Sequence, residues 1–216
     1  AGEPLAEWRA RARAEVCARH GLDPERPLLL SISRLHPFKG VEFLVEALPA
    51  LREGVGPVQA ILAGPSRSTP RFGDYSTYLR RRAEELGVTG MAHLIGGFDH
   101  GMVPQYYAAS DIVVVPSVVE ALNRVAVEAG AAGTPTVVTR TTGISEWIAE
   151  HGCGQIVEPR SGQAIAAAAT ELLNDHELWN RQSANGPGLA AEFRSGVIAR
   201  RLLAAYRPIV AAAPPA

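Results

Sequence analysis

Six short apolar runs constrain the fold of this chain more than any other feature: PLLLSIS at 27–33, VQAILAG at 58–64, MAHLIGG at 91–97, DIVVVPS at 111–117, TPTVVTR at 134–140 and GQIVEP at 154–159. Each is apolar at consecutive rather than alternate positions, the pattern of a strand covered on both faces in a parallel sheet. Between the runs the period turns helical. Val41, Leu44, Val45 and Leu48 sit at helical spacing, and TYLRRRAEELGV at 77–88 closes on Gly87 as a C-cap. Further helices are expected near 5–19, 103–109, 122–132, 144–151, 162–173 and 189–206. The polar segment SRSTPRFGDYSTYL at 66–79 is expected to be a long loop.

This alternation predicts an α/β fold: a doubly wound, mainly parallel, six-stranded Rossmann-like sheet with helices on both faces. One domain is expected over 1–210, with a core at about 27–175, C-terminal helices at about 175–206 and a disordered tail at 211–216. The chain begins at Ala1 and its methionines are Met91 and Met102, which predicts a piece of a longer protein.

Composition narrows the partners. With 21 basic and 22 acidic residues the net charge is -1, so no overall field draws the chain to nucleic acid. The arginine clusters at 9–13 and 80–82 read as solvated helix faces. No apolar run reaches the length of a membrane span, so no transmembrane segment is expected. Cys17 and Cys153 lack metal or redox spacing and predict reduced thiols in a cytoplasmic protein, with peripheral membrane contact left to a missing half.

Ligands of doubly wound sheets bind outside the carboxyl ends of the strands. The first such loop is SRLHPFKG, and its Lys39 is the only lysine beside twenty arginines. Lys39 and Gly40 lead into a helix, whose N-terminal amides and dipole suit a phosphate, with Arg34 adding a forked charge. A lone lysine there points to a role that a guanidinium fills poorly. Neither a P-loop nor a G-x-G-x-x-G turn occurs, which disfavours an NTPase and a dinucleotide dehydrogenase.

The second informative loop is PSVVEALNRVAVEAG from 116. Glu120 lies in it, a helix is expected from about Leu122, Glu128 is placed two turns inside, and Asn123 suits a left-handed turn. The same glutamate spacing recurs at Glu7/Glu15 and Glu150/Glu158 without a strand end beside it, so the setting carries the signal. Carboxylates at a helix start suit the neutral hydroxyls of a sugar or ribose.

In order, SISRL, KG, LAGP, LIGGF, YYAASDIVVVPS, EALNRVAVEAGAAGTPTV and GISEWI with GCGQIVEP resemble the C-terminal, donor-binding half of retaining GT-B glycosyltransferases of family four, over about 27–175. The resemblance implies a sugar transferred with retention from a nucleotide diphosphate sugar, and a cleft completed by an N-terminal acceptor domain. It implies that Arg34 and Lys39 hold the diphosphate, that Glu120 faces the donor sugar and that Glu128 holds the ribose. The amides of Arg124 and Val125 would meet the distal phosphate, Leu122 and Asn123 would lie along the sugar, the base would lie near Gly97 and Phe98, and Gly64 with Pro65 would form another wall. No metal and no cofactor beyond the donor are expected, protein cations doing that work. Where the family writes E-[GP]-F-G-[LI]-V, this chain has Glu120-Ala-Leu-Asn-Arg-Val125. The fragment alone is expected to be inactive. The alternative reading is a non-catalytic nucleotide-sugar-binding or regulatory module.

Overall fold

The computed structural model describes residues 3–97 and 99–211. Helix α1 (Leu5–His20) leads into β1 (Leu28–Ile32), α2 (Val41–Val55) and β2 (Gln59–Ala63). A hairpin of β3 (Ser68–Thr69) and β4 (Gly73–Asp74) precedes α3 (Tyr75–Glu85) and β5 (Ala92–Gly96). Then follow α4 (Val103–Ala109), β6 (Ile112–Val115), α5 (Arg124–Ala131), β7 (Thr136–Thr139), α6 (Ser145–His151) and β8 (Gly154–Val157). Helices α7 (Gly162–Asn174), α8 (His176–Glu192) and α9 (Ser195–Ala211) close the chain.

The main sheet has six strands in the order β5-β2-β1-β6-β7-β8, all paired in parallel. Consecutive apolar residues are needed because neighbours along a strand serve opposite cores. Leu29, Leu62 and Val114 pack with α2, α3 and α7, while Leu28, Leu30, Ile61, Val113 and Val115 pack with α1, α4, α5 and α8. The winding direction reverses between β1 and β6, which opens a crevice at their carboxyl ends.

The expected fold class and all six strands are present, and several finer expectations are corrected. The segment at 66–79 is no long loop: it forms the β3–β4 hairpin and starts α3 at Tyr75, with Asp74 accepting from the amide of Thr77 as N-cap. The final helix expected at 189–206 is two helices broken at Phe193 and Arg194. Pro187 sits inside α8 without ending it, because Leu178, Gln182, Gly186 and Leu189 are buried by tertiary packing, which outweighs local propensity. The core also reaches beyond 27–175, taking in Ala12, Val16 and Cys17 of α1 and Leu189 of α8. Of the tail expected at 211–216, Ala211 closes α9 and the rest lies outside the described residues. Cys17 and Cys153 are buried free thiols, and burial pushes Cys153 up to about 11.

Two local arrangements set the crevice. Gly40 joins a 3-10 turn (Pro37–Lys39) to α2 with φ 63, and a Cβ there would lie 2.0 Å from the carbonyl oxygen of Pro116. Only glycine fits this approach of the loop after β1 to the loop after β6. Behind it, the buried Tyr75 phenol donates to the carboxylate of Glu42, which is 8% exposed at the start of α2. Burial pushes the Glu42 carboxyl above its ordinary 4.5, the Tyr75 hydrogen bond opposing the rise, and burial likewise raises the Tyr75 phenol.

Gly21 has φ 64 and nothing near its absent Cβ, so it isolates the backbone cost of a side chain in this conformation. Gly21→Ala should cost about 1–2 kcal/mol, and Gly40→Ala should add the clash for about 3 kcal/mol or more. Chemical denaturation of both variants checks this, and equal losses would show that the approach to Pro116 is soft. For Glu42, the folded-state pKa lies above the unfolded one, so its contribution is fully present in acid and is lost as pH rises through the folded value. Glu42→Gln keeps an acceptor for Tyr75 and cannot ionise. Its stability relative to the parent should therefore rise steadily from acid to neutral pH, as read by thermal melts across that range.

Candidate active site

The site is built from two loops that leave neighbouring strands. After β1 the chain is pinned to the next strand's exit, with Ser33 donating to the Ala63 carbonyl at 3.0 Å and Leu35 to that of Pro65 at 2.9 Å. His36 caps the turn before α2, its Nδ1 accepting from the amide of Phe38 at 3.2 Å. After β6, the Ser117 carbonyl accepts from the hydroxyls of Thr139 at 2.5 Å and Thr141 at 3.2 Å. The two loops are joined directly, Val118 donating its amide to the carbonyl of Phe38 at 2.9 Å. These bonds hold Lys39 beside Glu120.

Lys39 and Glu120 form an ion pair and hydrogen bond, both side chains mostly buried at 21% and 22% exposure. The same carboxylate oxygen takes longer contacts from the Asn123 amide at 3.4 Å and the Ser117 hydroxyl at 3.5 Å. Asn123 also caps α5, its Oδ1 accepting from the amide of Ala126 at 3.2 Å. The amides of Arg124 and Val125, in the first turn of α5, have no carbonyl to pair with inside the helix. Further along α5, Glu128 accepts from the hydroxyl of Tyr107 at 2.9 Å, and burial pushes that phenol up, Glu128 adding to the shift.

A cavity of about 320 Å³ opens between these groups, and its walls include Arg34, Lys39, Glu120, Asn123, Arg124, Val125 and Glu128. Arg34 and Arg124, both lining it, make no side-chain ion pair or hydrogen bond among the described residues. A neighbouring cavity of about 440 Å³ shares Tyr107 and Glu128 and continues to Trp8 and Pro104. Among the described residues no group of three or more His, Cys, Asp or Glu side chains could hold a metal ion. No helix among them is long and apolar enough to cross a membrane.

The structure therefore brings together seven of the residues singled out in the sequence, and Gly64, Gly97 and Leu122 are not on this wall. Gly64 packs the exits of β1 and β2 together, where a Cβ would lie 1.8 Å from the Ser33 oxygen. Gly97 and Leu122 do not line the cavity, and Leu122 is 38% exposed. Phe98 lies outside the described residues. Helix α5 begins at Arg124 rather than near Leu122, which puts Glu128 about one turn inside instead of two. Asn123 is extended, with φ -157, because a capping residue precedes the helix and needs no left-handed turn. His100, Val103 and Tyr107 also line the cavity and were not among the candidate site residues. The paired tyrosines before β6 were the one available signal for Tyr107.

Known proteins agree with this architecture. Residues 13–188 match the family described as glycosyl transferases group 1. The GDP-mannose-dependent alpha-(1-6)-phosphatidylinositol monomannoside mannosyltransferase of Mycobacterium tuberculosis is 32% identical over 199 residues, covering 88% of this chain and 50% of that protein. Sucrose-phosphate synthase from Thermosynechococcus elongatus superposes with a TM-score of 0.76 at 28% identity, over 94% of this chain and 51% of that one. Anabaena Alr3699/HepE, solved with UDP and glucose, shares the fold with a TM-score of 0.78 at 23% identity, over 96% of this chain and 53% of that one. These neighbours are GT-B glycosyltransferases, and the chain spans about half the length of the relatives it matches. A match across most of its length, carried by the same parallel sheet, makes this chain a member of the glycosyl transferases group 1 family.

Proposed function

We propose that this chain is the donor-binding half of a retaining hexosyltransferase that takes a nucleotide diphosphate sugar without a metal or other cofactor. The observation that carries the reading is the convergence on one cavity of Arg34, the Lys39–Glu120 pair and the start of α5. The family membership and the UDP complex of the Anabaena protein support a nucleotide sugar as the ligand, and the Mycobacterium relative's name adds GDP-mannose to the candidates.

On this reading the diphosphate lies against Arg34, Lys39 and the amides of Arg124 and Val125. As the bond to the anomeric carbon breaks, negative charge accumulates on the leaving phosphate. Cations and amides already aimed at that position stabilise the charge with little reorganisation. Lys39 has three N–H donors, so it can keep Glu120 while reaching a phosphate oxygen. Glu120, held on one oxygen by Lys39, Ser117 and Asn123, would present the other to sugar hydroxyls. Glu128, steadied by Tyr107, would do the same for the ribose. Since the matched relatives are about twice as long, the acceptor site is completed on this reading by an N-terminal domain of the same longer protein.

Lys39→Ala should weaken a nucleotide diphosphate by on the order of ten- to a hundred-fold, the worth of one charge-assisted contact, while barely moving the corresponding nucleoside. Calorimetry with both ligands decides, and equal losses would reduce Lys39 to a prop for its loop. Glu128→Ala should weaken UDP or GDP roughly tenfold yet leave the 2′,3′-dideoxy analogue almost unchanged, since that ligand has no hydroxyl to donate. Equal weakening of the two ligands would remove Glu128 from the ribose.

A further inference from the structure

Arg34 and Lys39 line two neighbouring cavities. One is the crevice already described. The other, of about 270 Å³, is lined by Arg34, His36, Phe38, Lys39 and Arg67. Its walls carry two arginines and a lysine and no carboxylate, whereas the crevice contains Glu120 and Glu128. Of the nearby acids, Glu120 pairs with Lys39 and offsets that one cation, whereas Glu42 is engaged by Tyr75 and Glu46 by Arg82 at 2.8 Å, which leaves Arg34 and Arg67 without a carboxylate. Arg67, like Arg34, makes no side-chain ion pair or hydrogen bond among the described residues. Two unpaired guanidinium groups beside an ammonium repel one another, and an oxyanion relieves that repulsion.

The position of Arg67 is built into the fold. Its amide donates to the Leu35 carbonyl at 3.1 Å, and its own carbonyl accepts from the Tyr75 amide at 3.3 Å. Leu35 and Ser66 form a parallel bridge, so the loop after β2 is held alongside the loop after β1. With its Nδ1 accepting from the Phe38 amide, the ring of His36 is left with Nε2 as its N–H donor. Phe38, 61% exposed and 5.1 Å from the His36 ring, supplies an apolar face of the kind that ring carbons of a sugar or polyol pack against.

We propose that this second cavity is an oxyanion site for the phosphate of a phosphorylated sugar or polyol acceptor. The assignment to an acceptor rests on the reading of the adjoining crevice as the donor site. Arg34 and Lys39 then stand between two anions, the donor diphosphate on one side and the acceptor phosphate on the other. Arg67 is the cation that belongs to the second anion alone.

The test is calorimetry on the 216-residue chain. With UDP or GDP at saturation, glucose 6-phosphate should bind beside the nucleotide and glucose should not bind. Arg67→Ala should weaken glucose 6-phosphate about tenfold, Arg67→Lys should keep most of the affinity, and nucleotide affinity should stay within about twofold in both variants. Arg67 is exposed, so neither variant threatens the fold. Phosphatidylglycerol vesicles in the same assay identify the source of the phosphate: binding that depends on Arg67 assigns it to a lipid headgroup, and binding of the soluble ester alone assigns it to a free metabolite. The proposal is overturned if Arg67→Ala weakens nucleotide and sugar phosphate equally, if the sugar phosphate displaces the nucleotide, or if no Arg67-dependent binding of either phosphate occurs. Should UDP and GDP fail to bind at all, the donor reading falls by itself, and the glucose 6-phosphate titration without nucleotide still reports on Arg67.

Discussion

The site depends on the approach of Gly40 to the carbonyl of Pro116, where a side-chain carbon would stand 2.0 Å from the oxygen. This contact brings the loop after β1 and the loop after β6 within reach of a shared ligand. It also aims α2 back across the sheet, where Leu44, Leu48 and Leu51 bury against α7 and the strands. The Phe38–Val118 backbone bond lies across the same seam. A core of this density transmits a shift at Gly40 directly to Lys39 and Glu120, because close-packed interiors have little slack to absorb it.

Charge around the crevice is arranged unevenly, and the unevenness has chemical content. Most arginines with resolved partners serve structure: Arg13 meets Asp111, Arg82 bridges Glu46 and Glu85, and Arg9 donates to the Ser110 carbonyl and the Thr134 hydroxyl. Arg34, Arg67 and Arg124 stand apart from such pairs at the carboxyl ends of the strands. Stability gains little from an exposed unpaired guanidinium, whereas an anionic ligand gains a great deal from several that converge. The carboxylates present there are restrained, Glu120 by Lys39 and Glu128 by Tyr107, so each faces the cavity with one oxygen already engaged.

Much of this was legible in the residues. The six strands could be read because burial on both faces demands consecutive apolar residues, as in Ile112 to Val115. Lys39 was legible by its singularity and Glu120 by its place after a strand. What escaped reading was local geometry under tertiary control. The apolar character of Leu122 suggested a helix already under way, yet capping by Asn123 delays α5 to Arg124. A final helix was expected only from about residue 189, yet α8 runs from His176 through Pro187, with Gly186 and Leu189 buried. Tyr107 was not singled out, because only the fold brings its hydroxyl to Glu128.

The sequence by itself determined which segments are strands and helices and which loops carry the uncommon residues, because periodicity and composition are local properties of the chain. Only the tertiary structure decided which of those loops meet. Arg67 comes to lie beside Arg34 through the Leu35–Ser66 bridge, and Glu120 beside Lys39 through the pairing of β1 with β6. Those neighbours depend on strand order and on backbone contacts such as that at Gly40, which join residues far apart in the chain. A linear pattern states what each segment must bury. It does not state which segment will lie next to it, since that follows from the packing of all of them together.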